Sequence, residues 1–197
     1  MTKLDVLIEG FAIEHDDFEK VSPSVVLIET NKNKILVDPG FNRKELLDAL
    51  ARKGISTDQI DLVILTHTHL DHCALAGIFE KAIILDNSDQ FLQNGEIKRQ
   101  DENTLDSDVQ IIPTPGHDQF HCSIAVKTDD LGVVVVAGDV FWWTADTEPS
   151  KYFDALIALS DPYVKDENAL IESRKSILQI ADYIIPGHGK IFKNLSR

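Results

Sequence analysis

His67-Thr68-His69-Leu70-Asp71-His72 places three imidazoles and a carboxylate within six consecutive residues, shortly after the apolar run Leu62-Val63-Ile64-Leu65. Imidazole nitrogen and carboxylate oxygen are ligands that a borderline divalent ion such as zinc accepts. The apolar run reads as a buried strand that delivers the cluster to a loop at its end. Packing alone rarely concentrates such residues, so the stretch implies a metal-dependent enzyme.

Three further blocks extend the candidate ligand set. His117 closes Thr114-Pro115-Gly116-His117, Asp139 follows the run Val133-Val134-Val135-Val136-Ala137-Gly138, and His188 lies in Pro186-Gly187-His188-Gly189 after Tyr183-Ile184-Ile185. Each sits at the far end of an apparent strand. Glycine at these points lets the backbone turn tightly and approach a metal closely. Four strand ends meeting at one edge can assemble a site for more than one ion.

Together with Asp38 after the strand Ile35–Val37, these blocks resemble the metallo-β-lactamase superfamily of hydrolases, in the expected order and over nearly the whole chain. The run Ala137-Gly138-Asp139-Val140-Phe141 and the ending Glu172-Ser173-Arg174-Lys175, Ala181-Asp182, Pro186-Gly187-His188-Gly189 are most similar to the family of metallo-β-lactamase domain-containing protein 1. The resemblance implies a four-layer αββα sandwich with metals at one edge of paired sheets. It implies that His67, His69 and His117 hold a first ion, that Asp71, His72 and His188 hold a second, and that Asp139 bridges both. Two divalent ions are therefore expected, zinc by preference, with Mn2+ or Fe2+ as alternatives. Such a pair shares a bridging water and draws its pKa toward neutrality. Asp71 is then the expected catalytic proton acceptor. Asp38 is expected to accept a ring N–H from a ligand histidine, fixing its tautomer. His121, in His117-Asp118-Gln119-Phe120-His121-Cys122-Ser123, is expected to give a supporting hydrogen bond.

Each block has a plainer reading by itself. A buried histidine is usually a satisfied polar group, and Asp38-Pro39-Gly40 is good turn chemistry. Five of the seven histidines fall in the matching blocks, which the separate readings leave unexplained.

The 197 residues suit one domain, 1–197, with a substantial core. Hydrophobic residues at 43% and charged residues at 26% are ordinary for a soluble chain. No apolar run reaches the ~18 residues of a membrane span. The first residues lack the basic-then-apolar order of a secretion signal, so the expected location is cytoplasmic. Thirty-three acids against nineteen Lys plus Arg give a formal charge of −14. Such a field repels polyanions, which disfavours wide contact with nucleic acid. Cys73 and Cys122 do not form a redox or zinc pair; each reads as a small packed residue, free of a disulfide.

The strand candidates are Leu4–Ile8, Val25–Glu29, Ile35–Val37, Leu62–Thr66, Ala82–Leu85, Val109–Ile112, Ser123–Lys127, Val133–Ala137 and Tyr183–Ile185. Asn42 and Glu45 read as a capping box ahead of the Leu46, Leu47, Leu50 stripe, with Gly54 as the stop, and Ser56 with Gln59 as a second capped turn. Leu170, Ile171, Arg174, Ile177, Leu178 and Ala181 share one face at helical spacing, the Arg174 stem lying along it with its head in water. The polar stretch Asp86–Ser107 reads as loops with one short helix. Thr128–Gly132 reads as a hairpin turn, and His15 as a solvated loop residue. The pattern indicates a mixed α/β fold; periodicity alone does not separate a sandwich from a doubly wound sheet.

These expectations favour a hydrolase acting on a small ester, lactone or thioester. A true β-lactamase is disfavoured by the lack of an export signal and by Asp139. A glutathione thioesterase would carry a further C-terminal segment, and a quorum-lactone hydrolase a tyrosine where Val140-Phe141-Trp142-Trp143 stands. Ribonuclease Z-like phosphodiesterases place a histidine between the last two blocks; none lies between Asp139 and His188. Phosphodiesterase or ribonuclease activity nonetheless stays the alternative, with a mononuclear iron persulfide dioxygenase as a third reading. Trp142 and Trp143 either line a substrate pocket or form a core or dimer contact, which leaves a homodimer open.

Overall fold

The period-two pattern of the strand runs decides how the chain is layered. In the computed structural model, which describes residues 2–101 and 104–196, β1 (Lys3–Ile8) is followed by a hairpin of β2 (Phe11–Glu14) and β3 (Glu19–Ser22). Then come β4 (Val25–Glu29), β5 (Lys34–Val37), helix α1 (Arg43–Arg52), β6 (Leu62–Ile64), the one-turn helix α2 (Leu70–Cys73), β7 (Ile83–Leu85), β8 (Asp89–Phe91) and β9 (Ile97–Arg99). The second half supplies β10 (Val109–Pro113), β11 (Cys122–Thr128), β12 (Gly132–Gly138), helices α3 (Phe153–Ile157) and α4 (Glu167–Ile180), β13 (Tyr183–Pro186) and β14 (Phe192–Lys193). Strands β1-β4-β5-β6-β7-β8-β9 form one sheet and β10-β11-β12-β13-β14 a second.

Alternate residues of each central strand serve different cores. Val26, Ile28, Ile35, Val37 and Ile64 of the first sheet meet Ile124, Val126, Val134, Val136 and Ile185 of the second. The intervening Val25, Leu27 and Leu36 pack on Leu46, Ala49 and Leu50 of α1. Val135, Ala137 and Ile184 pack on Leu156 of α3 and on Leu170, Ile177 and Leu178 of α4. The layers are therefore helix, sheet, sheet, helix: the αββα sandwich. A one-residue register slip would turn every one of these side chains to the wrong layer, and each buried aliphatic is worth about 1.5–3 kcal/mol.

Local signals place the ends. Asn42 accepts the Glu45 N–H at 3.3 Å at the start of α1, and Gly54 follows its end at φ 71°. Gln59 accepts the Ser56 N–H at 2.9 Å, as the second capped turn requires. Thr128 and Gly132 face each other across the β11–β12 turn.

Two expectations are overturned. The stretch Asp86–Ser107 forms the β8–β9 hairpin, with no helix among its described residues; residues 102 and 103 lie outside them. Its three-residue strands bury neither face, so they carry no apolar alternation. Arg174 does not reach water. It is 2% exposed, and its guanidinium donates to the carbonyls of Val140 at 3.0 Å, Ile157 at 3.1 Å and Leu159 at 2.7 Å. Three carbonyls take Nε and Nη1 of this buried fork, whereas Nη2 has no partner; the stem lies on the core face as its spacing implies, but the head stays there too. Cys73 and Cys122 are both free, Cys122 buried and Cys73 partly so. No described helix is long and apolar enough to cross a membrane.

Candidate metal centre

The chain leaving β6, β10, β12 and β13 brings the seven expected ligands to one place. Two groups form: His67, His69, His117 and Asp139, and beside them Asp71, His72 and His188, the ligand atoms of each group lying within 4.8 Å of one another. The chain turns between them because His69 caps α2 in an extended conformation while Asp71 and His72 lie in its single turn. Close approach needs glycine. A Cβ at Gly187 would stand 1.9 Å from Asp139 Oδ1, and one at Gly138, where φ is 53°, 2.6 Å from His121 Nε2.

Asp139 is 5% exposed and divides its carboxylate between the groups. Its Oδ2 faces His67 Nε2 at 3.6 Å and His117 Nε2 at 3.4 Å. Its Oδ1 faces His72 Nε2 at 3.3 Å and His188 Nε2 at 3.6 Å. Asp71 Oδ2 completes the second group, 3.6 Å from His72 Nε2 and 3.4 Å from His188 Nε2. These separations are long for hydrogen bonds. They match the ~3.3 Å edge of a tetrahedron whose ligands stand about 2.0–2.1 Å from a zinc ion.

The other ring nitrogens are held by groups outside the cluster. Nδ1 of His67 meets Thr66 Oγ1 at 2.9 Å, Nδ1 of His72 meets Asp38 Oδ2 at 2.8 Å, Nδ1 of His117 meets Asp161 Oδ2 at 2.7 Å, and Nδ1 of His188 meets the Ser22 carbonyl at 2.8 Å. A carboxylate or carbonyl partner makes Nδ1 the donor, so each Nε2 turns a lone pair inward. Thr66 Oγ1 donates to Asp38 Oδ2 at 2.7 Å and so can accept from His67. His69 is arranged differently, with Nδ1 3.2 Å from His117 Nε2. His67 Nε2, His72 Nε2 and Asp139 Oδ1 are buried with no hydrogen-bond partner. Orphaned buried acceptors are costly, and here they converge. Donor set, spacing and orphaned atoms all fit divalent metal ions.

Electrostatics agree. Burial would raise the Asp139 carboxyl, but His72 and His188 outweigh it and hold it well below the usual carboxylate range. Burial would likewise lower His72, yet Asp139 and Asp38 hold it well above the usual histidine value. A positive charge is favoured among these carboxylates, and a metal ion can replace the proton that supplies it. Burial pushes His121 down to about 3. That neutral ring sits behind the cluster, Nδ1 on Thr114 Oγ1 at 2.9 Å and Nε2 accepting the Asp139 backbone N–H at 3.1 Å. Asp38 accepts from the Thr66 N–H at 2.8 Å as well as from His72. It occupies φ 47°, a conformation few residues other than glycine, Asn and Asp tolerate.

Nothing in the local sequence marks Asp161, which orients His117 and accepts from Trp142 Nε1 at 3.4 Å, or the β2–β3 hairpin that walls the cleft. This cleft, about 360 Å³, opens over His69, Asp71, Asp139 and His188. The two tryptophans part company: Trp142 lines the cleft, whereas Trp143 is 5% exposed in the core between Phe141 and Phe192. The pocket role expected for Trp143 is thus replaced by packing. His15 is exposed in the hairpin turn.

Comparison with known proteins gives a consistent result. The profile of the metallo-β-lactamase superfamily matches residues 19–86. Metallo-β-lactamase domain-containing protein 1 of Mus musculus is 38% identical over 85% of this chain and 64% of its own length. The protein of the same name from Rattus norvegicus is 35% identical over 90% of this chain and 72% of its own. The chain thus spans just under two thirds of the mouse relative. A metallo-β-lactamase-like protein from Thermotoga maritima shares the fold, with a TM-score of 0.71 at 21% identity over 98% of this chain and 99% of the other.

Proposed function

This chain belongs to the metallo-β-lactamase superfamily, and on that premise we propose that it is a metal-dependent hydrolase of small esters, lactones or thioesters, with a dinuclear, zinc-preferring centre. The observation that carries the reading is the divided carboxylate of Asp139, with one oxygen facing each histidine pair. In this assignment His67, His69, His117 and Asp139 would hold one ion, and Asp71, His72 and His188, with the other oxygen of Asp139, would hold the second. Bound divalent ions supply Lewis acidity and lower the pKa of water toward neutrality.

The protein's own groups do the rest. Asp38, Thr66, Asp161 and the Ser22 carbonyl fix ring orientation, and His121 holds the backbone at Asp139. Asp71 is partly exposed and lines the cleft, where it can take a proton from the attacking water. Burial would raise its carboxyl, but the neighbouring His188 and His72 rings outweigh it and keep it below the ordinary value, which favours the ionised form. Ile13, Val21, Leu70 and Trp142 give the cleft an amphipathic wall that suits a partly apolar small molecule. The formal charge of −14 disfavours a polyanion.

The test is a panel of p-nitrophenyl esters, acyl lactones, acyl thioesters and bis(p-nitrophenyl) phosphate, run on zinc- and manganese-reconstituted protein with His69→Ala as control. Turnover of at least one carboxyl substrate, abolished in the variant, is expected. Turnover confined to the phosphodiester would shift the assignment to phosphodiesterase. Metal-loaded protein inert toward the whole panel would contradict the hydrolase reading.

A further inference from the structure

The hairpin that walls the cleft pairs Glu14 directly with Glu19. Directly opposed residues project from the same face of an antiparallel pair, and like charges placed so destabilise it. Both carboxylates line the cleft, and among the described residues neither forms an ion pair. Lys20, the adjacent base, lies instead over the Phe11 ring at 5.6 Å. Glu19 Oε1 accepts from the Tyr163 hydroxyl at 3.5 Å. Burial, Glu19 and Glu14 push the Tyr163 phenol up, so it remains a neutral donor.

An aromatic pair stands at the same wall. The rings of Tyr163 and Trp142 lie 6.0 Å apart at 37°, and Trp142 meets the His188 ring at 6.2 Å. Aromatic faces and carboxylates attract the same kind of group, a cation. The cleft is marked as a ligand site on independent grounds, because the buried and unpartnered Asp139 Oδ1 borders it.

We propose that Glu14, Glu19, Trp142 and Tyr163 form a cation-selecting wall, so that the preferred substrate carries an ammonium group remote from its scissile carbonyl. The assignment of the carbonyl end rests on the hydrolase reading; the cation end rests on the hairpin and the aromatic pair. Leu70, 76% exposed at the cleft, offers apolar surface for the methylenes between the two ends. A substrate with an anionic tail would meet two carboxylates and be rejected, which is selection by repulsion as well as attraction. The hairpin is tied to the metal centre, since the Ser22 carbonyl at its end accepts from His188.

Calorimetry on the zinc-loaded protein tests this without turnover. The probes are ω-aminocarboxylates from β-alanine to 6-aminohexanoate, each against the unsubstituted carboxylate of equal length. At the best chain length the ammonium probe is expected to bind about tenfold more tightly or better. The paired substitution Glu14→Gln with Glu19→Gln should erase that advantage, and Tyr163→Leu should reduce it. Equal binding of the two probe sets by the native protein overturns the proposal, as does an advantage that survives both carboxylate substitutions. Ammonium selection without any ester turnover would instead remove the hydrolase reading and leave the cation wall standing.

Discussion

Zinc-loaded Asp71→Asn is expected to turn over its substrate about 10²–10⁴-fold more slowly than the native protein, the loss typical of a missing general base. Asparagine keeps the shape and one oxygen but not the charge or the basicity. Metal held by His67, His69, His117 and Asp139 should survive, and metal at His72 and His188 should weaken, because Asp71 Oδ2 faces both of those rings. Asp38→Asn should lose less, about 10–100-fold, since it disturbs the orientation of His72 without removing a ligand. Steady-state rates at saturating metal, compared with metal content after desalting, check both. Near-normal turnover of Asp71→Asn with both metals retained would end the proton-acceptor assignment.

Asp139→Asn should be more damaging still. Its carboxylate contributes an oxygen to each group, so one substitution reaches both sites. Affinity at both should fall by more than the about 10–100-fold that loss of an outer partner costs, and hydrolysis should become undetectable at micromolar metal. Competition with a chromophoric chelator resolves the two affinities. Loss at one group alone would show that Asp139 does not bridge.

The strands were legible because the buried ones are continuous β-branched runs and because glycine marks the turns after β12 and before His188; their arrangement as a sandwich followed from the family resemblance, since periodicity alone fits a doubly wound sheet equally well. The seven expected ligands were legible because they fall at strand ends in a fixed order. What escaped depends on distant chain. Asp161 stands 44 residues from His117, in a Ser-Asp-Pro-Tyr turn that carries no local signal for a histidine partner. The pairing of Glu14 with Glu19 carried no sequence signal, because four-residue strands with half-buried faces leave little alternation. Arg174 sat at core spacing, and only the carbonyls of Val140, Ile157 and Leu159 explain why a guanidinium belongs there. Trp142 and Trp143 are indistinguishable in sequence. The stack of Trp143 on Phe141, rings 7° from parallel, assigns one to the core and leaves the other to the cleft.

The most direct test of a shared two-ion centre is elemental analysis of protein purified without chelator, followed by stripping and stepwise metal return while hydrolysis is recorded. The geometry predicts a content near two transition-metal ions per chain, mostly zinc, with activity lost on stripping and regained as the second equivalent is added. A stable content near one, all of it iron, together with oxygen uptake on a persulfide and no hydrolysis, would contradict it.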